Sequence, residues 1–222
     1  YSDAVMLERI HPQGNIEAAS YAYGYRFFMA FNMIGFLFAS LLLPIFSKML
    51  KDNQNIKPLT WLSFRLIFCF SVIVGSSIWF FSADILEWRY FLDENTLLHS
   101  ANSFKWLGLS FIAVSCTYIF GTLLTAKGEM KSLNILAIVG VGINVVLNLI
   151  LIPIKGAEGA AFASVVTQFF TVLFQILIFN KIFSLKLTLK HSIQLILFSF
   201  GCIIVPLYLN ELEINWMYAF SI

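Results

Sequence analysis

Charge is what this 222-residue chain most lacks: Asp, Glu, Lys and Arg make up only 12% of it, about half the share usual in a water-soluble domain. Fourteen basic and twelve acidic side chains are too few to cover the surface of a soluble protein this long. A net charge of +2 without a clustered basic stripe excludes a nucleic-acid binder. Cysteine is scarce too. Three thiols cannot staple a disulfide scaffold, and Cys69, Cys116 and Cys202 each sit in a different apolar run, where they read as small packing residues. His11, His99 and His191 are far apart, and none has a second His or Cys at metal-ligand spacing, so neither a metal nor a cofactor is expected. The nearest thing to a phosphate loop, Gly140-Val141-Gly142, lacks the Lys-Ser/Thr partner and lies inside an apolar run. The first residues show no basic n-region and no cleavage site of a signal peptide. Both ends run through apolar segments, which reads as a fragment of a longer protein.

Apolar residues fill the space these absences leave. They make up 59% of the chain, 24 of them Phe, and the mean hydropathy is +0.84. Such segments are too apolar to stay disordered in water. The class that remains is an all-α integral membrane protein, a polytopic helix bundle whose main partner is the lipid bilayer. A helix crossing a hydrocarbon core of about 30 Å needs about 20 apolar residues, and transmembrane strands need only about 9–11 of alternating character. Continuous runs bounded by charges predict six full spans, at 27–47, 62–83, 106–126, 132–154, 159–180 and 192–210, with partial helices at 1–7 and 214–222. The longest connection expected is the 22 residues from Asp84 to Lys105, whose Trp88, Tyr90 and Phe91 suit a membrane interface.

The charges that do occur alternate in sign along the chain. Alternate connections hold nine bases and two acids on one side, five bases and ten acids on the other. Lys and Arg mark the cytoplasmic side, so 48–65, 127–131 and 181–191 are expected there, in a bacterial inner membrane.

Apart from Arg65 near the start of 62–83, the predicted spans carry no Asp, Glu, Lys, Arg or His, but neutral polar residues line up at helical spacing. Ser164, Gln168, Thr171 and Gln175 form one stripe, Ser115, Tyr118, Thr122 and Thr125 a second, and Gly140, Asn144 and Asn148 a third. Such stripes either bond neighbouring helices or face a water-filled cavity. Pro44, Pro153 and Pro206 fall within the apolar runs, and Gly156 and Gly159 predict a tight turn between two of them. Arg26 ends a span, where a guanidinium either snorkels to the interface or holds a phosphate.

An ordered set of segments carries a family resemblance. Tyr1-Ser2-Asp3-Ala4-Val5-Met6-Leu7, Glu17 through Arg26, Leu41 through Ser47, Gly121 through Gly128, Asn144 through Pro153 and Gly156 through Ala161 together resemble the middle and end of bacterial O-antigen-type polysaccharide flippases. Those proteins belong to the multidrug/oligosaccharidyl-lipid/polysaccharide exporter superfamily. The resemblance implies that 1–222 is the carboxy-terminal lobe of a two-lobed transporter of about fourteen helices. It also implies a missing amino-terminal lobe and an undecaprenyl-pyrophosphate-linked oligosaccharide as substrate, moved by alternating access. In such a protein no residue is catalytic. Arg26, Asn144, Asn148, Ser164, Gln168 and Thr171 are the expected substrate or cavity residues, and Asp3 is the candidate for coupling to an ion or pairing with an Arg such as Arg9. No basic residue stands at mid-membrane in this sequence, unlike what an anionic headgroup would ask for. The alternatives are a multidrug exporter or lipid II flippase of the same superfamily, a membrane-embedded glycan polymerase or acyltransferase using His99, and a structural subunit without a cavity.

Overall fold

The computed structural model describes residues 2–183 and 189–211, which form six helices and no strand. They are α1 (Ser2–Ile10), α2 (Gly14–Lys51), α3 (Lys57–Arg89), α4 (Glu94–Lys127), α5 (Met130–Phe183) and α6 (Leu189–Glu211). In lipid, a backbone without water must bond to itself, so long apolar runs become helices. Four of these, α2 to α5, are long and apolar enough to cross a membrane, and Ile193–Leu207 of α6 is a shorter apolar helix. The chain is therefore an all-α, multi-pass membrane protein.

With 54 residues, α5 would span about 81 Å if straight, far more than the ~30 Å core. It folds back instead. Gly156, at φ +52° and ψ −129°, breaks the helix, and a Cβ on Gly159 would lie 2.6 Å from the Leu151 carbonyl oxygen. Further down, Gly140 faces Thr171 and Thr167. The first limb, 130–155, thus runs antiparallel to the second, 157–183, and supplies two crossings. The tight turn expected at Gly156 and Gly159 is where the chain reverses.

The charged connections are shorter than the sequence suggested. Helix continues through most of the segment between Asp84 and Lys105, leaving only 90–93 non-helical. Leu86 is fully buried, and the Asp93 carboxylate caps α4 by accepting from the Thr96 backbone N–H at 3.1 Å. Local capping and packing extend helices past the apolar runs that locate them. Within 48–65 and 127–131 the breaks are 52–56 and 128–129, the latter at a left-handed Gly128. The partial helix expected at 214–222 lies outside the described residues, as do 184–188 of the connection 181–191.

At the middle of the bundle stands α4, in contact with α2, α3 and α5. Small residues bring it close to α3: a Cβ on Gly75 or on Gly108 would meet Ile112 or Ile78 at 2.8 Å, the close approach that drives helix association in lipid. Two apolar cores result. One gathers Phe46, Ile67, Ile119, Phe120, Leu123 and Phe179 toward the end of the bundle that carries Lys48 and Lys127. The other gathers Leu7, Tyr21, Leu86, Phe104, Ile152 and Ala157 toward the end that carries Gly156. Large apolar side chains such as Met33, Leu37, Leu41, Ile138 and Leu173 point outward, as lipid-facing positions do.

Candidate functional site

The site is built around Asp3. In α1 its carboxylate accepts three side-chain hydrogen bonds from elements remote in sequence. Asn148 Nδ2 on the first limb of α5 donates at 2.7 Å, Ser164 Oγ on the second limb at 3.0 Å, and the Tyr21 hydroxyl on α2 at 3.1 Å. Asn148 Nδ2 also lies 3.1 Å from Asn144 Oδ1, so two of the three asparagine-stripe positions join the cluster. The Gly156 reversal makes this possible. Asn148 and Ser164 are equally distant from it in sequence, so the antiparallel limbs bring them level. The described residues hold no ion pair to Asp3. Arg9, on the same short helix, is exposed rather than paired with it.

The cluster forms one wall of a cavity of about 400 Å³ between α1, α2, α4 and the two limbs of α5. Its other walls include Ser110, Gly140, Asn144, Thr167, Gln168 and Thr171. Ser164, Gln168 and Thr171 line this hollow together with Asn144, while Asn148 is wholly buried. Gln175, next in the stripe, is buried among helices. Of the α4 stripe, Thr122 and Thr125 bond their own helix, to the Tyr118 and Gly121 carbonyls. Ser115 Oγ is buried without a hydrogen-bond partner, and none of the four residues lines the cavity.

Arg26 stands apart. It is exposed and lines a neighbouring hollow of about 380 Å³ with Ala4, Tyr21, Ala22, Tyr25 and Met29. Tyr21 and Tyr25 line both hollows, so Arg26 is separated from the Asp3 cavity by an aromatic partition. It is the one basic residue in the linings of these two hollows.

Two important groups escaped sequence reasoning. Glu17, one of the ten acids on the acid-rich side, is only 7% exposed. It accepts from the Ala157 backbone N–H at 2.6 Å and pairs with His99 Nε2 at 2.9 and 3.0 Å. His99, expected in a connection, is in α4. Tyr21 went unnoticed as one aromatic among many. A spacing of four between Glu17 and Tyr21, placing both on one face of α2, was the available signal. The three cysteines are free, and among the described residues no group of His, Cys, Asp and Glu could hold a metal.

No curated protein matches the chain. A helix bundle with a polar cavity and an acid held inside it fits a transporter of the superfamily that the segments resemble. The family model described as Lipid II flippase MurJ matches residues 15–222. This supports flipping of a lipid-linked substrate, and it points to a different member of the superfamily from the polysaccharide flippases of the resemblance. The match takes in nearly the whole chain, which therefore belongs to the lipid II flippase MurJ family.

Proposed function

We propose that the chain is the carboxy-terminal lobe of a two-lobed flippase that works by alternating access, with Asp3 as its coupling group. The observation that carries this is the placement of the Asp3 carboxylate, held by donors from α2 and both limbs of α5 at a cavity wall. An acid held among membrane-crossing helices is costly and marks function by default. A proton or a monovalent cation offsets that charge in one state and leaves it in the other. Oxygen groups suited to such an ion surround it: the carboxylate, Ser164 Oγ, Asn144 Oδ1, and an Asn148 Oδ1 buried without a hydrogen-bond partner. Because Asp3 binds both α2 and the two limbs of α5, its neutralisation changes how tightly those elements hold together.

Lipid II is the substrate that the family's description favours. A second reading, an undecaprenyl-pyrophosphate-linked oligosaccharide for polysaccharide assembly, is favoured by the ordered segments 17–26 and 156–161. Either has an anionic diphosphate, for which Arg26 is the contact on this lobe, and sugars, for which Gln168, Asn144 and Thr171 offer hydrogen bonds. A cavity of about 400 Å³ holds part of such a headgroup, and the facing lobe supplies the remaining wall. The lysine-bearing connections 48–65, 127–131 and 181–191 face the cytoplasm of a bacterial inner membrane.

The test is flipping by the full-length protein in proteoliposomes, given fluorescent lipid II or a lipid-linked O-antigen unit under an imposed proton or sodium gradient. Transport of lipid II that depends on a gradient and falls at least tenfold in Asp3→Asn is the expected result. Preference for the O-antigen unit selects the second reading, and movement of neither overturns both. Cysteine accessibility along 164–175 checks the cavity: Ser164, Thr167, Gln168 and Thr171, which line it, should react with a water-soluble reagent, and Val165, Val166, Phe169 and Phe170 should not.

A further inference from the structure

At the reversal of α5, the first helical N–H of the second limb does not find its acceptor within its own helix. Ala157 N–H donates 2.6 Å to Glu17 Oε2, a side chain that α2 contributes. A carboxylate at that position satisfies a free N–H and complements the positive end of the helix. Glu17 is pressed so close against Gly156 that any Cβ there would collide with the carboxylate. From the other side His99 of α4 holds both carboxylate oxygens. Three elements are thus tied at one buried acid, and the turn they hold is the one from which Asn148 and Ser164 depart toward Asp3.

We propose that Glu17, braced by His99, is a positioning residue for the Asp3 cluster. It fixes the angle and register of the two limbs of α5, and through them the distance between Asn148 and Ser164. One face of α2 does both jobs. Glu17 grips the turn, and Tyr21, one helical turn on, donates to Asp3. Without the tie the limbs remain helical and remain in the membrane, but the two donors no longer meet on one carboxylate. A rigid partner that locks the geometry of a site is what holds its groups within the tolerance that binding needs.

The functional half of the test rests on the coupling reading of Asp3, and the geometric half does not. Full-length protein with its native cysteines replaced carries Gly140→Cys and Thr171→Cys, which face each other across the limbs. Copper-phenanthroline crosslinking of this pair is expected to slow at least fivefold in Glu17→Ala. In Glu17→Gln, whose amide oxygen still accepts from Ala157, it should stay within twofold. In protein without the engineered pair, the sodium concentration at half-maximal thermal stabilisation, titrated against choline, is expected to rise about tenfold in Glu17→Ala and less than threefold in Glu17→Gln. A residue that only stabilises the fold lowers the melting temperature equally at every sodium concentration and leaves that midpoint in place. Unchanged crosslinking in Glu17→Ala overturns the proposal. So does an unmoved midpoint in protein whose wild type responds to sodium. If the wild type shows no sodium response and Asp3→Asn changes nothing, the sodium form of the coupling reading fails, and crosslinking alone decides the role of Glu17. Should Glu17→Ala not fold, His99→Ala replaces it, with crosslinking expected to slow about threefold and an unchanged rate overturning the proposal.

Discussion

The end of the bundle that carries Gly156 and the end that carries Lys48 and Lys127 are joined by different forces. At the Gly156 end, side chains bond across helices: Glu17 to His99 and Ala157, Asp3 to Tyr21, Asn148 and Ser164, and Trp106 Nε1 to Glu158 at 3.2 Å. At the lysine end, rings fill the gaps between helices. Phe120 meets Phe64 at 5.4 Å and Phe179 at 5.2 Å between centroids, and the hydroxyls of Thr60, Thr122 and Thr125 turn back on their own helices. Rings occur at both ends, as Trp106 against Phe162 shows, so the polar ties are the difference. Hydrogen bonds in a membrane average only about 0.6 kcal/mol each, so the ties at the Gly156 end add little stability singly. Their direction matters more. A hydrogen bond specifies angle and register, whereas a packed ring tolerates sliding and exchange for another of similar volume. The specified end is the one with the candidate coupling site.

The sharpest way to break this contrast is at the turn. Gly156→Ala forces an alanine into a positive-φ conformation and against the Glu17 carboxylate. The backbone alone costs about 1–3 kcal/mol, and the collision adds about as much. Thermal unfolding of the purified protein should show a loss above about 2 kcal/mol. Gly142→Ala, with open space around it, is the matched control and should be neutral or stabilising by up to about 1 kcal/mol. Equal losses in the two would mean that the turn is not specially constrained.

Asp3→Ala comes next. Three hydrogen bonds at about 0.6 kcal/mol each put its stability cost near 2 kcal/mol. Flipping, however, should fall at least tenfold in the proteoliposome assay with the protein still folded. Loss of transport only in proportion to loss of folded protein would reduce Asp3 to a structural tie.

At the other end, Phe120→Leu should cost less than about 1.5 kcal/mol, as near-isosteric core exchanges do, and leave flipping unchanged. A transport defect there would erase the distinction between the ends.

The smallest effect is expected at Asp93, where hydrogen bonding from the Thr96 side chain and then its backbone N–H holds the carboxyl below the usual carboxylate range. A lowered folded-state pKa stabilises above the unfolded value and is lost as pH falls through the folded one. Amide exchange at the start of α4 should therefore quicken slightly below about pH 4. In Asp93→Asn that acid dependence should vanish.

Much of this architecture was legible in sequence. The charge-free runs fall within the long apolar helices α2 to α5 and the shorter apolar α6, because the cost of burying charge in lipid acts on each residue separately and adds along a helix. The reversal at Gly156-Ala157-Glu158-Gly159 was legible for a related reason: only glycine takes a positive φ cheaply. Asn144, Asn148, Ser164, Gln168 and Thr171 could be singled out because periodicity places them on helix faces. Whether a face meets a neighbour or a cavity depends on the helix opposite, and here the α4 stripe and the α5 stripe, alike in sequence, went opposite ways.

Glu17 shows where local reading stops. In sequence it is an acid before the first long apolar run, indistinguishable from Glu8, yet Glu8 is exposed and Glu17 buried. Composition and hydropathy, which are properties of single residues and short windows, by themselves determined that this chain is a helical membrane protein with sparse, asymmetric charge. Only the tertiary structure decided that Asp3 meets a donor 145 residues away and that Glu17 grips the turn between them. Such meetings depend on the angles at which helices pack, and those are set by contacts between side chains distant along the chain.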